Sequence, residues 1–205
     1  MVGVNPLEGI IPPEYRLALD VARIIFTEEQ NPIVLCQQPA LTEEVYWRFP
    51  DRSGRKLAST ALWVEPLDSD WQTDLAALTS RIKPGGLLGV ISSRPLARIL
   101  PERRGWEGIP LGVQVGGNGK MRRALIKAGF TPQASYGFHS LLAIGINMFS
   151  QQVERYGYPK LGDRLHFASR LNYIVGGAGE VFSTVTFLIA RNNSKRKDSA
   201  ANASA

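Results

Sequence analysis

Leu75 to Ser93, LAALTSRIKPGGLLGVISS, decides the fold of this 205-residue chain. Leu75, Leu78 and Ile82 recur at helical spacing, and Lys83 sits where the negative end of a helix dipole favours a cation. Pro84-Gly85-Gly86 cannot continue a helix, and Leu87 to Ile91 follow as a short apolar run between glycine and serine, the pattern of a strand covered on both faces. Downstream, Arg123 to Phe130, RALIKAGF, predicts a helix closed by Gly129 at the position that wants a left-handed residue. Helix, turn, buried strand and a later helix make half of a parallel α/β sheet.

Working outward, Pro13 pre-sets the first turn of a helix over about Glu14 to Glu28, with Leu17, Val21, Ile24 and Ile25 on one face. Asn31-Pro32 ends it, and Ile33 to Cys36 form a short strand. A short helix over Leu41 to Phe49 and a second strand, Thr60 to Val64, lead to the helix from about Asp70 to Ile82. Residues 94 to 119 are irregular and rich in Pro, Gly and Arg, a long connection for a compact domain. A strand over Pro132 to Phe138, helices over about Leu141 to Tyr156 and Leu161 to Ile174, and a last strand, VFSTVTFLIA at Val181 to Ala190, complete the series. The domain reading is an extended arm over 1–13, one domain over 14–191, and a polar, basic, disordered tail over 192–205.

The KPGG turn feeding a strand, with AGF ahead of another, resembles the C-terminal half of class I S-adenosylmethionine-dependent methyltransferases. The resemblance covers most of residues 14–191. It implies a Rossmann-like α/β fold: a reduced, mostly parallel sheet of about five strands, an antiparallel last strand, and helices on both faces. In that family the first strand runs into a glycine-rich turn, because only glycine lets backbone amides approach the cofactor closely at a helix N-terminus. The corresponding turn here is Cys36-Gln37-Gln38-Pro39, without glycine, and Pro39 brings no amide donor. Two further strands with their crossovers need about 60 residues at roughly 30 per βαβ unit, whereas Cys36 and Thr60 are 24 positions apart. The family's second and third strands are therefore expected to be missing, and the strand Ile33 to Cys36 becomes an edge.

Composition narrows the function. With 44% hydrophobic residues the chain can bury one substantial core. The net charge of +6 draws partly on Lys195, Arg196 and Lys197 in the tail, leaving a mildly basic body. A single cysteine, Cys36, excludes an internal disulfide and a cysteine-rich zinc site, and suits a reducing compartment. His139 and His166 lack the surrounding carboxylates of a metal site, so no metal is expected. The N-terminus has no signal-peptide pattern, and the longest apolar stretch, within SLLAIGINMF at Ser140 to Phe149, is short of the roughly 20 residues that span a bilayer. The expectation is a cytoplasmic protein, at most peripheral to a membrane complex.

Each candidate site has a bland counterpart. An apolar edge strand with unpaired backbone groups needs a cover, which is internal or a partner protein or a second copy meeting Ile33, Val34 and Leu35. Arg94, Arg98, Arg103 and Arg104 offer contacts to an acidic partner or to phosphates, or simply stay solvated, without the aromatic spacing of base stacking. Glu65-Pro66 ends a parallel strand where open α/β sheets place ligands, or opens a capped helix through Asp68 to Asp70. Cys36 reads as a small buried apolar residue before a nucleophile, the two histidines as structural before catalytic, and Gly116 to Gly119 as a turn lacking the Lys-Ser/Thr of a phosphate loop. SLLAIGINMF is apolar around much of a helix, which reads first as a core helix packed on the sheet and second as a surface facing lipid or a partner.

From these residues the first expectation is a non-catalytic, methyltransferase-like accessory subunit without a cofactor, docked on a larger assembly. The enzyme alternative is an active methyltransferase with S-adenosylmethionine near Cys36, Gln37, Gln38 and Glu65. A third reading is peripheral binding to an anionic membrane or nucleic acid through the arginine loop and the tail.

Overall fold

The computed structural model describes residues 11–26, 32–36, 38–50, 57–66, 71–94, 118–176 and 182–193. The elements run α1 (Pro13–Ile25), β1 (Ile33–Cys36), α2 (Pro39–Arg48), β2 (Ala58–Val64), α3 (Trp71–Arg81), β3 (Ile82–Ser93) and α4 (Asn118–Lys127). Then follow β4 (Phe130–Ser140), α5 (Leu141–Arg155), α6 (Pro159–Leu171), β5 (Ile174–Gly176) and β6 (Ser183–Asn192). One open sheet has the order β1-β2-β3-β6-β4-β5. The pairs β1/β2 and β2/β3 are parallel, while β6 runs antiparallel to both β3 and β4, and β5 antiparallel to β4.

The expected count of about five strands is corrected to six. The added strand, β5, lies where a helix was expected to continue to Ile174, because Asn172 caps α6 early and the next residues pair with Tyr136 to Phe138. The sheet is mixed, with four strands pointing one way and β5 and β6 the other. The last strand reaches further than its apolar run suggests. Asn192 is buried in β6, and its amide donates to the Ile82 carbonyl at 2.9 Å. At the other end Ile11, placed in the arm by sequence, is buried in the core.

Two apolar clusters sandwich the sheet. On one face, α1 and α2 contribute Tyr15, Leu19, Leu41 and Val45 against Leu62, Val64, Ile91 and Phe187. On the other, α3 and α4 contribute Leu75, Leu78 and Leu125 against Trp63, Leu88, Val90 and Leu188. Alternation along β2 sends Leu62 and Val64 one way and Ala61 and Trp63 the other, the period of two that a strand imposes. The connections β1-α2-β2 and β2-α3-β3 step the same way across the sheet, yet their helices lie on opposite faces, so the two are of opposite hand. The connection through α4 agrees with that through α3, which marks β1-α2-β2 as the rare left-handed case.

The KPGG segment has a specific geometry. Ile82 pairs with Ala58 and Leu87 with Thr60, so Lys83 to Gly86 loop out between the two pairs. Gly85 takes φ +81°, a conformation that favours glycine. A Cβ on Gly86 would stand 2.6 Å from the Ser59 carbonyl oxygen and 2.9 Å from that of Lys83, backbone atoms that cannot turn aside.

Candidate functional site

The strands β1 to β4 end on the same side of the sheet, and polar and strained groups collect there. In open α/β sheets this carboxyl edge is where ligands bind. Glu65, one residue past β2, has φ +50° and is 2% exposed. Its Oε1 accepts from the Tyr15 hydroxyl of α1 and from the Ser93 amide at the end of β3, and its Oε2 accepts from the Ser93 hydroxyl at 3.0 Å. The Glu65 amide donates to the Ile91 carbonyl at 2.8 Å, which holds the residue against β3. A carboxylate with this many donors is stabilised in a buried setting that would otherwise penalise it.

Beside it, Cys36 ends β1. Its thiol donates to the Gln38 carbonyl at 3.6 Å and accepts from the Thr42 hydroxyl at 3.9 Å. Burial pushes the thiol above its ordinary value of 9.0, opposed by the bonds to Gln38 and Thr42, with the nearby Glu65 charge adding to the rise. The thiolate is therefore scarce at neutral pH, which favours the reading of Cys36 as a packed apolar residue. At pH 8 a disulfide reagent is expected to label Cys36 at least tenfold more slowly in the folded chain than in denaturant. The same shift makes folding favour the protonated thiol, so its share of stability is full below pH 9.0 and declines as pH rises through the folded value. Equal labelling rates in the two states would remove this account.

Of the residues chosen from sequence, Cys36, Gln38 and Glu65 are brought together, with Gln38 and Glu65 buried. Gln37, Arg98, Arg103 and Arg104 lie outside the described residues. Arg94 follows β3, and its amide donates to the Thr184 carbonyl at 2.8 Å. Among the described strands β1 is at the edge, paired with β2. Ile33 and Val34 point into opposite cores and Leu35 is half-buried, so what that edge offers a partner is mainly backbone.

The histidines divide. The His166 Nε2 lies 2.9 Å from Glu154 Oε1, and its ring lies against the Ser150 hydroxyl, a cluster that ties α6 to α5. His139 closes β4 with φ +53°, stacks on Tyr173 with ring centroids 5.0 Å apart, and has a buried Nδ1 without a hydrogen-bond partner among the described residues. Glu65 and His139 are the two non-glycine residues with positive φ among those described, and both sit at this edge. Sequence reading did not foresee Tyr15 and Ser93 as partners of Glu65. They stand 50 and 28 positions from it, beyond any local pattern.

The conventional hold on the family's cofactor does not fit the turn after β1. Pro39 has no N–H, and the amides of Leu41 and Thr42 donate to the Gln38 carbonyl at 3.0 and 3.1 Å. No group of three or more metal-ligating side chains occurs among the described residues.

The sheet order, the antiparallel β6 between β3 and β4, and the helices on both faces define a Rossmann-like class I methyltransferase fold. No family model and no curated protein matches the sequence. Among solved structures, the chain is similar to an S-adenosylmethionine-dependent methyltransferase, a possible histamine N-methyltransferase, from Thermotoga maritima. The two are 13% identical, with a TM-score of 0.43, over 88% of this chain and 93% of that one. A geranyl diphosphate methyltransferase in complex with S-adenosylmethionine is 10% identical, with a TM-score of 0.39, over 93% and 96%. A phosphoethanolamine N-methyltransferase of Haemonchus contortus, bound to phosphomonomethylethanolamine and S-adenosylhomocysteine, is 9% identical, with a TM-score of 0.42, over 92% and 57%. The expectation that this chain takes no cofactor is corrected on these neighbours, two of which hold S-adenosylmethionine or its demethylated product.

Proposed function

We propose that this chain is a methyltransferase-fold protein that holds S-adenosylmethionine, or its demethylated product, in an atypical way at the carboxyl ends of β1 to β3. The observation that carries the reading is Glu65. A buried acid in a left-handed conformation at the end of β2 costs on the order of 1–3 kcal/mol, and the surrounding structure holds it there with Tyr15 and Ser93. Strain of that kind collects where ligands bind, and this edge is where an open α/β sheet binds them. Glu65 and the buried Gln38 would form the floor of such a site, with Tyr15 fixing the carboxylate. The cofactor supplies an electrophilic methyl group when bound. What these residues do is position and exclude water.

A second reading, a docking subunit of a larger assembly, is favoured by the edge position of β1 and by the left-handed β1-α2-β2 connection. Such a connection is what remains if two strands are lost beyond β1 while α2 keeps its face.

Calorimetric titration of the full chain with S-adenosylmethionine and with S-adenosylhomocysteine separates the two. Micromolar binding of either, weakened at least tenfold by Gln38→Ala in a chain that still folds, supports the cofactor reading. Heat-silent titrations up to millimolar ligand overturn it and leave the docking reading.

A further inference from the structure

The helical hairpin α5–α6 carries a surface that the carboxyl-edge site does not use. Along α5 the buried residues are Ala143, Ile144, Ser150 and Val153, while Leu141, Leu142, Met148 and Phe149 on the opposite face are exposed. On α6 the small residues Gly162 and Ser169 are buried, and Phe167 and Leu171 are exposed at 64% and 68%. The seam between the helices is polar and tight. The Ser169 hydroxyl donates to the Ala143 carbonyl at 2.8 Å, and Glu154 pairs with His166 where Gly162 leaves no room for a Cβ. Both helices therefore turn apolar side chains away from their common seam. Most of the large exposed hydrophobic residues among those described lie between Leu141 and Phe182.

The tip of the hairpin has a different chemistry. A cleft of about 510 Å³ there is lined by Gly157, Tyr158, Pro159, Lys160, Leu161 and Arg164. Tyr156 and Tyr158 are exposed at 78% and 64% beside it. The tip carries the cations Arg155, Lys160 and Arg164 and the acid Asp163, while Glu154 faces His166.

We propose that the α5–α6 hairpin docks the protein on an anionic phospholipid surface. Lys160 and Arg164 would face lipid phosphates, with Tyr156, Tyr158 and Leu161 at the boundary between headgroups and acyl chains. Tyrosine and long cationic side chains suit that boundary because each joins an apolar body to a polar end. Interfacial helices combine such residues with exposed Leu and Phe, and basic groups near the surface add attraction for anionic lipid. No described helix is long and apolar enough to cross a membrane, so the contact is with the surface. The inference is independent of cofactor binding.

Flotation of the full chain with phosphatidylcholine vesicles, with and without phosphatidylglycerol, tests it. Binding to the anionic vesicles is expected, at least tenfold weaker on neutral ones. Lys160→Glu with Arg164→Glu is expected to weaken it tenfold or more, and Phe149→Ser with Phe167→Ser comparably. Neutralising Lys195, Arg196 and Lys197 in the tail is expected to change it less than threefold. Lys160, Arg164, Phe149 and Phe167 are exposed, so thermal melts of their variants should stay near wild type. Should the phenylalanine variant misfold, Tyr156→Ser with Tyr158→Ser replaces it and is expected to lose binding. Equal binding to both vesicle types, loss through the tail variant alone, or a dimer by light scattering that the phenylalanine variant dissociates while no vesicle binds, would each overturn the proposal.

Discussion

Phe187→Ala is expected to destabilise the fold by about 3–5 kcal/mol, the usual cost of emptying a buried aromatic site. At about 2–4 °C per kcal/mol for a chain of this size, the melting temperature should fall by roughly 10 °C. Phe187 is fully buried at the centre of β6, on the face covered by α1 and α2. Its ring meets Phe26 edge-on at 6.2 Å and stacks on Tyr136 at 6.4 Å, so truncation removes two aromatic contacts along with the volume. The place is reserved by Gly89 on the neighbouring strand, where a Cβ would stand 2.7 Å from Phe187 and 2.8 Å from Phe26. Rigid strands on either side leave little freedom to collapse into the gap. Phe187→Leu, which keeps part of the volume, should lose less than half as much. Urea denaturation followed by tryptophan fluorescence reads both, and a loss below about 1 kcal/mol for alanine would contradict the packing described.

Glu65 gives the other large effect. Glu65→Ala removes the acceptor of the Tyr15 hydroxyl and of both the amide and hydroxyl of Ser93. Losing the acceptor of a buried donor such as the Tyr15 hydroxyl costs about 1–3 kcal/mol and losing that of the half-buried Ser93 donors less, since water reaches them, so a net loss of about 3 kcal/mol is expected. Backbone strain supplies a test of sign. At φ +50° alanine keeps the left-handed penalty while glycine relieves it. Glu65→Gly should therefore be more stable than Glu65→Ala by about 1 kcal/mol, the reverse of the order at an ordinary helix or strand position. Glu65→Gln retains the shape and one acceptor, and is expected to fold with the smallest loss of the three. If alanine and glycine were equal, the positive φ would carry no strain and the support it lends to a ligand site would go with it.

Much of the fold was legible in sequence because it is written in local periods. The helical spacing of Leu75 and Leu78, the apolar run Leu87 to Ile91, the glycine after α4 and the β-branched run of β6 each depend on neighbours within a few residues, whereas Ile82 and Lys83, expected in the last helical turn, open β3 because Ile82 pairs with Ala58. The missing glycine between Cys36 and Pro39 was equally plain, as was the short interval to the next strand. The site was less legible. Cys36, Gln38 and Glu65 were reached through strand ends, but the partners that define Glu65 come from α1 and β3.

The set of elements and the α/β class follow from local pattern, since hydrophobic period and turn residues act within a few positions. Tertiary structure alone decided the rest. It placed α2 on the face of α1 and so reversed the hand of one connection, inserted β5, and carried β6 on to Asn192, where a buried amide found the Ile82 carbonyl. It also turned apolar side chains of α5 and α6 outward, where the small residues Gly162 and Ser169 let the two helices close on a polar seam. These outcomes depend on contacts between residues far apart in the chain, and a buried group takes whichever partner the packing brings to it.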